Sequence, residues 1–276
     1  MSTPVIARSA YASISPRRVG AMVLRYVYLL RGSWPRILEL AYWPTMQIIM
    51  FGFLTQFLAA NSNLFVQAFG ILLGAVILWD VLFRGQLGVS ISFLEELWSR
   101  NLGHLFVSPL RPYEMTIALM TISFIRTFVG IVPATLLALA FFGFSVYSLG
   151  FPLVGFFFNL LVMGWAIGLV MSGVVLRYGL GAESLAWVAV FALAPISGIY
   201  YPIAILPEWL QVVAWGLPAS HVFEGMRAIL IDGEYRADLM WTASLINVVY
   251  LAAGSAAFFA FFRTARIRGL LLNLGE

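Results

Sequence analysis

The sequence predicts an all-α polytopic membrane protein with six transmembrane helices. Hydrophobic residues make up 62% of its 276 residues and charged residues only 10%, whereas a soluble domain carries about 25% charged residues. Six apolar runs reach the length of about 20 residues that a helix needs to cross the hydrocarbon core. We place these spans at residues 37–60, 64–84, 115–142, 151–176, 184–201 and 239–262.

Arginine placement predicts the orientation of these spans. All 16 basic residues are arginines. With six spans, thirteen of them fall on one side of the membrane, in the N-terminal segment, in the connections after the second and fourth spans, and in the C-terminal tail. Because arginine-rich segments stay on the cytoplasmic side, both chain termini are predicted to be cytoplasmic.

The segment before the first span divides into two parts. Residues 1–16 are mostly small or polar, which predicts a flexible tail. Residues 17–33 mix arginines with apolar residues and predict an amphipathic helix lying in the membrane interface. A simple extension of the first span is the alternative, but Gly32, Ser33 and Pro35 favour a break.

The connection between the second and third spans is the most charge-rich interruption of the apolar chain. From residue 92 to 105 its apolar residues recur with the 3.6-residue period of one helix face: Leu94, Leu97, Trp98, Leu102 and Leu105. Glu96 and Arg100 have the spacing of a stabilising i,i+4 pair. The pattern predicts a helix on the cytoplasmic membrane surface that offers its charged side to a soluble partner. A solvated amphipathic loop is the alternative.

The connection before the last span, residues 202–231, predicts two short helices. Its two apolar pieces are too short to cross a membrane, and Pro207, Gly216 and Pro218 interrupt them. We expect a re-entrant pair that enters the outer half of the bilayer and returns; a helix lying flat on the surface is the alternative. Glu224 and Arg227, at i,i+3 spacing, are expected to pair and hold this arrangement closed.

Three charged residues lie within the predicted spans. Asp80 and Arg84 have i,i+4 spacing in the second span, and Arg126 lies about 16 Å along the third. Each charge costs about 2.5–3.5 kcal/mol or more at a span centre. We therefore predict an intramembrane charge network, which either ties the spans together or lines a path for an anionic headgroup.

Composition excludes several kinds of chemistry. The absence of cysteine excludes disulfides and thiolate metal sites, and the absence of lysine excludes a phosphate-loop or Schiff-base lysine. His104 and His221 stand alone on opposite sides of the membrane, so no metal site is predicted. The sequence contains no nucleophile-and-base arrangement, no nucleotide fingerprint and no nucleic-acid patch, and we predict no catalytic residue.

Two segments resemble the permease subunits of type-2 ATP-binding-cassette exporters. The stretch ELWSRNLGHLFVSPLRPYE resembles the first intracellular loop of these permeases. The stretch PISGIYYPIAILPEWLQVVAWGLPASHVFEGMRAIL resembles their C-terminal signature, whose elements are here Pro202, Leu206-Pro207, Pro218 and Glu224-Gly225-x-Arg227. Tyr201 departs from the phenylalanine that often precedes the first proline. The resemblance covers essentially the whole chain and implies a single transmembrane permease domain over residues 1–276.

The resemblance implies a half-transporter in the cytoplasmic (inner) membrane of a bacterium. Such a permease pairs with a second permease copy, most simply as a homodimer, and binds two copies of a soluble ATPase. The chain would then be no enzyme by itself and would hold no cofactor, since ATP and Mg²⁺ bind to the partner. Residues 92–105 would be the coupling helix, which contacts the ATPase through Glu95, Glu96, Trp98, Arg100 and Asn101.

The predicted substrate path follows from the same resemblance. A dimer interface lined by the first, second and fifth spans would present Phe51, Phe57, Tyr200 and Tyr201. Because aromatic faces accept sugar rings, acyl chains and drugs alike, we predict outward export of an amphipathic substrate: a lipid, a glycolipid or lipid-linked polysaccharide, or a hydrophobic drug. The alternatives are a secondary transporter driven by an ion gradient and a membrane-embedded enzyme that modifies lipids. No internal repeat supports the first alternative, and no cluster of acidic or histidine residues supports the second.

Overall fold

The computed structural model describes residues 14–61 and 66–269, and within those ranges it is built of helices and turns. Most of the predicted tail, residues 1–16, lies outside the described residues. The α-helices are α1 Pro16–Arg31, α2 Trp34–Asn61, α3 Val66–Trp98, α4 Leu102–Val107, α5 Pro112–Phe142, α6 Pro152–Tyr178, α7 Glu183–Leu193, α8 Glu208–Trp215, α9 Pro218–Asp232 and α10 Ala237–Ile267.

Five of the described helices are long and apolar enough to cross a membrane. They are α2 over Trp34–Phe57, α3 over Gly70–Trp98, and α5, α6 and α10 over their full lengths. They correspond to the first four predicted spans and the last one. An all-helical fold with several helices of membrane-spanning length and hydrophobicity is therefore confirmed among the described residues.

The fifth predicted span, residues 184–201, is not one transmembrane helix. α7 has 11 residues and is about 16 Å long, roughly half of the ~30 Å hydrocarbon core. Turns follow it as far as Tyr200, because Pro195 has no N–H to continue the helical hydrogen bonds. Among the described residues the structure thus has five helices of spanning length rather than six.

The centre of the molecule is α6, which packs between α3 and α10. Glycines allow these helices to approach closely. A Cβ atom at Gly164 would lie 2.6 Å from the carbonyl oxygen of Leu82 on α3. On the other side, a Cβ atom at Gly254 of α10 would lie 2.6 Å from the carbonyl oxygen of Ala166. The backbones of the three helices are therefore in direct contact.

α1 occupies the segment that was expected to form an amphipathic helix. Its buried residues Met22, Tyr26 and Leu30 follow each other at intervals of four, and Met22 and Tyr26 join an apolar core with α3, α5, α6 and α10. The helix ends at Gly32, and α2 begins as a separate helix at Trp34. The break expected in this region is therefore present.

The prediction of a single surface helix over residues 92–105 is wrong. α3 continues to Trp98, and a turn with Arg100 in the left-handed region (φ 53°) separates it from the six-residue helix α4. Leu94 and Leu97 are buried. These two residues of the apolar stripe thus lie on the core-facing side of α3, whereas Trp98 is exposed. Periodicity shows that a face is apolar but not what covers it.

Two short helices, α8 and α9, occupy the segment for which a helix pair was predicted. Gly216 and Leu217 separate them. A short 3-10 helix, Ile203–Ile205, precedes α8. α9 packs against α3, α6 and α10, so one of the two short helices lies within the helical bundle.

Candidate functional site

Exposed side chains cover the connection between α3 and α5. We call four of them the hairpin surface: Trp98, Arg100, His104 and Val107. Val107 is 89% exposed and Trp98 is 49% exposed. Of the predicted contact residues, Trp98 and Arg100 lie on this surface. Asn101 lies behind it, half-buried, and its Nδ2 donates a hydrogen bond to Glu96 Oε2 at 2.8 Å.

Glu96 is buried rather than on the hairpin surface. It is 1% exposed, and its carboxylate lies 2.8 Å from Arg25 Nη1 of α1. The neighbouring Tyr26 donates a hydrogen bond from its hydroxyl to the carbonyl oxygen of Ser92 at 3.3 Å. Burial raises the pKa of Tyr26 well above its ordinary value, so the hydroxyl keeps the proton that it donates. These contacts fix the end of α3 to α1.

Glu95 lies between two arginines. Its carboxylate is 2.9 Å from Arg126 Nη2 of α5 and 3.3 Å from Arg36 Nη1 near the start of α2. Arg126 therefore pairs with Glu95, whereas Asp80 and Arg84, with which it was predicted to form one network, pair with each other. Hydropathy placed Arg126 within a span, but it could not show that the end of α3 passes beside it.

Glu114, near the start of α5, is a buried carboxylate that sequence reasoning missed. It lies 2.6 Å from Arg18 Nη2 of α1 and accepts hydrogen bonds from the backbone N–H groups of Ser15 and Arg111. Hydrogen bonding to Glu114 raises the pKa of Arg18, so the guanidinium stays charged. We call three pairs the arginine clamp: Arg18–Glu114, Arg25–Glu96 and Arg36–Glu95. The clamp fixes the N-terminal segment to both ends of the hairpin.

Asp80 and Arg84 form the pair that their spacing predicted. Arg84 Nε lies 2.5 Å from Asp80 Oδ2, and both side chains are buried. The guanidinium rests against Gly130 of α5, where a Cβ atom would lie 2.6 Å from Arg84 Nε. Asp80 also lines a narrow cleft between α2, α3 and α5, together with Gln47. The pair therefore lies where these three spans meet.

Glu224 and Arg227 also form the predicted pair, which we call the outer ion pair. Arg227 Nη2 lies 3.0 Å from Glu224 Oε1 and donates a hydrogen bond to the carbonyl oxygen of Gly198 at 2.6 Å. Glu224 Oε1 accepts a hydrogen bond from the backbone N–H of Ile203 at 2.8 Å. The outer ion pair thus connects α9 to the turns that follow α7.

The four aromatic residues predicted to line a substrate path have different surroundings. Phe51 of α2 stacks on Tyr200, with ring centroids 5.7 Å apart. The Tyr201 hydroxyl donates a hydrogen bond to the carbonyl oxygen of Pro195 at 2.6 Å. Phe57, farther along α2, is 66% exposed. The structure therefore brings Phe51 and Tyr200 together at the junction of α2 with the turns after α7.

Comparison with known proteins identifies the family. The family model described as ABC-2 type transporter matches residues 27–231. A probable multidrug ABC transporter permease, YbhR of Escherichia coli K12, is 24% identical over 182 residues, which cover 63% of this chain and 47% of that protein. The protein of the same name from E. coli O157:H7 matches equally well. The chain spans about half the length of these curated relatives. With its helices of spanning length, the chain is an integral membrane protein, and it belongs to the ABC-2 type transporter family.

Proposed function

We propose that this chain is the membrane-spanning subunit of an ATP-driven exporter and that its hairpin surface binds a separate ATPase. The observation that carries this proposal is that the exposed residues of the hairpin surface are apolar and basic, and that ion pairs hold the helices that flank it in place. Val107 and Trp98 are exposed beside Arg100, while the arginine clamp holds the residues on both sides. Exposed apolar groups with a polar rim are typical of protein contact sites.

The residues proposed to contact the ATPase differ in part from those that the sequence predicted. Trp98, Arg100 and Asn101 remain candidates, and the structure adds the exposed His104 and Val107. In this proposal Glu95 and Glu96 position the hairpin instead, because arginines of this chain already occupy their carboxylates.

The rest of the proposed transporter consists of partner chains. Two copies of a soluble ATPase bind and hydrolyse ATP with Mg²⁺, and this chain supplies no cofactor and no catalytic residue. A second permease copy completes a homodimer. The long exposed apolar side of α2 supports a protein or lipid contact there, since Met50, Phe53 and Phe57 are each more than half exposed.

We further propose that the substrate is amphipathic and moves outward from the cytoplasmic side of a bacterial inner membrane. It would be a lipid, a glycolipid or lipid-linked polysaccharide, or a hydrophobic drug. The Phe51–Tyr200 stack offers an aromatic face, and the E. coli relative is named as a probable multidrug permease.

In the proposed membrane topology, α7 and the turns after it form the sixth crossing. Arg227 supports this, because it donates a hydrogen bond to the carbonyl oxygen of Gly198 in the non-helical turns. In the interior of a membrane every backbone polar group needs such a partner. Six crossings place both chain termini on the same side, because the number is even, and the arginine-rich segments make that side the cytoplasm.

The substitution Arg100→Glu tests the proposed contact. We expect it to lower the rate of substrate-stimulated ATP hydrolysis by the complex in proteoliposomes by a factor of about ten or more. The reason is that a reversed charge in a contact costs several kcal/mol of binding free energy. The variant should unfold at the same temperature as the original protein, since Arg100 is exposed. Arg236→Glu, at an exposed site next to α10, is the control for charge reversal. Its ion pair with Asp238 is exposed and contributes little to stability. Unchanged stimulation in Arg100→Glu would contradict the assignment.

A further inference from the structure

α1 has an exposed face opposite the one that packs on the bundle. Five residues follow this face at helical spacings of four, three, four and three, and all five are exposed: Arg17, Ala21, Leu24, Tyr28 and Arg31. We call them the outer face of α1. Leu24 is 50% exposed and Tyr28 is 61% exposed. The face therefore has Ala21, Leu24 and Tyr28 in its middle and one arginine at each end.

The charge of this face is not balanced by any described residue. α1 contains no acidic residue. Arg18 and Arg25, which flank the outer face, pair with Glu114 and Glu96. Arg17 and Arg31, by contrast, form no ion pair with any residue of the described ranges. The two cations on the outer face are therefore available to a ligand outside the chain.

An anionic bilayer surface matches this arrangement. Leucine and tyrosine side chains insert at the boundary between headgroups and acyl chains when a helix lies in the interface. Guanidinium groups bind phosphate through two parallel hydrogen bonds. Arg17 and Arg31 are about 21 Å apart along the helix axis, so each can reach a different phospholipid. Insertion to the boundary between headgroups and acyl chains would also cover Leu24 and Tyr28.

We propose that the outer face of α1 binds the headgroups of anionic phospholipids, with Arg17 and Arg31 as the two phosphate-binding residues. The arginine clamp and the buried residues Met22 and Tyr26 hold the opposite face of α1 on the bundle. The two arginines are thereby presented without any rearrangement of the fold. This inference concerns lipid binding and does not depend on the proposed export activity.

Native mass spectrometry of the full-length protein tests the proposal. The protein is held in detergent micelles supplied with equal amounts of phosphatidylglycerol and phosphatidylcholine, and the bound lipids are counted. Each basic residue near an anionic surface strengthens association about fivefold at low salt. The variant Arg17→Gln/Arg31→Gln should therefore lose its preference for phosphatidylglycerol by about twentyfold. The variant Arg263→Gln/Arg266→Gln removes the same charge from exposed positions of α10 and should keep the preference.

Two results would overturn the proposal. One is an unchanged preference in Arg17→Gln/Arg31→Gln, which is also the result expected if the face binds a protein. The other is an equal loss in the α10 control, which would make net charge the cause. Because the chain has no cysteine, Tyr28→Cys with a fluorescent label provides a second measurement. In phosphatidylglycerol vesicles, lipids carrying a nitroxide near the headgroup should quench this label, and an unquenched label would refute contact with the bilayer.

Discussion

Replacing Gly164 by valine should lower the free energy of unfolding by about 3 kcal/mol, because it forces α3 and α6 apart. A Cβ atom at this position would lie 2.6 Å from the carbonyl oxygen of Leu82 and 2.8 Å from the backbone nitrogen of Gln86. Both are backbone atoms of α3, so no side chain can rotate to make room. Denaturation of the purified protein in detergent, followed by circular dichroism, measures the loss.

Gly20→Val is the matched control for this substitution. Gly20 also lies within a helix, but a Cβ atom there would meet nothing within 4 Å. We expect this control to change the free energy of unfolding by less than about 0.5 kcal/mol. If both variants unfold alike, the close contact of α3 and α6 is not present in the membrane protein.

Replacing Glu224 by alanine should also cost about 3 kcal/mol. It leaves Arg227, which is 5% exposed, without its carboxylate, and removing one partner of a buried ion pair costs about 3–5 kcal/mol. We take the lower end because the Glu224 side chain is 21% exposed. The same substitution removes the acceptor of the hydrogen bond that the backbone N–H of Ile203 donates to Glu224.

Hydrogen exchange distinguishes this mechanism from general destabilisation. In Glu224→Ala the amide of Ile203 should exchange much faster, together with the turns after α7, whereas amides of α6 should change only as far as global stability changes. Glu208→Ala removes an exposed carboxylate of α8 and should leave both unfolding and exchange as they are. Slow exchange at Ile203 in Glu224→Ala would show that the outer ion pair does not hold these turns.

Local spacing predicted the parts of the site that lie on one helix. The pairs Asp80–Arg84 and Glu224–Arg227 are four and three residues apart, and helical geometry alone brings such residues together. The arginine clamp could not be predicted in this way. Its partners are 96, 71 and 59 residues apart, and only the packing of α1 and the start of α2 against α3 and α5 brings them together.

Two differences from the predicted fold have a common physical reason. The apolar stripe around Leu94 and the apolar run at residues 184–201 are both correctly recognised as hydrophobic. Hydrophobicity does not show whether lipid or protein covers a residue, nor where a helix ends. Most of the first stripe faces the protein core, where Leu94, Leu97 and Leu102 are buried. The helix in the second run ends before Pro195.

The central claim is that the hairpin surface binds an ATPase, and site-directed cross-linking tests it most directly. In this cysteine-free chain, Val107→Cys carrying a short photoactivatable cross-linker should form a covalent adduct with the co-expressed ATPase. Trp241→Cys, at an exposed position on α10 (70% exposed), should not. An ATPase adduct at position 241 and none at position 107 would contradict the account.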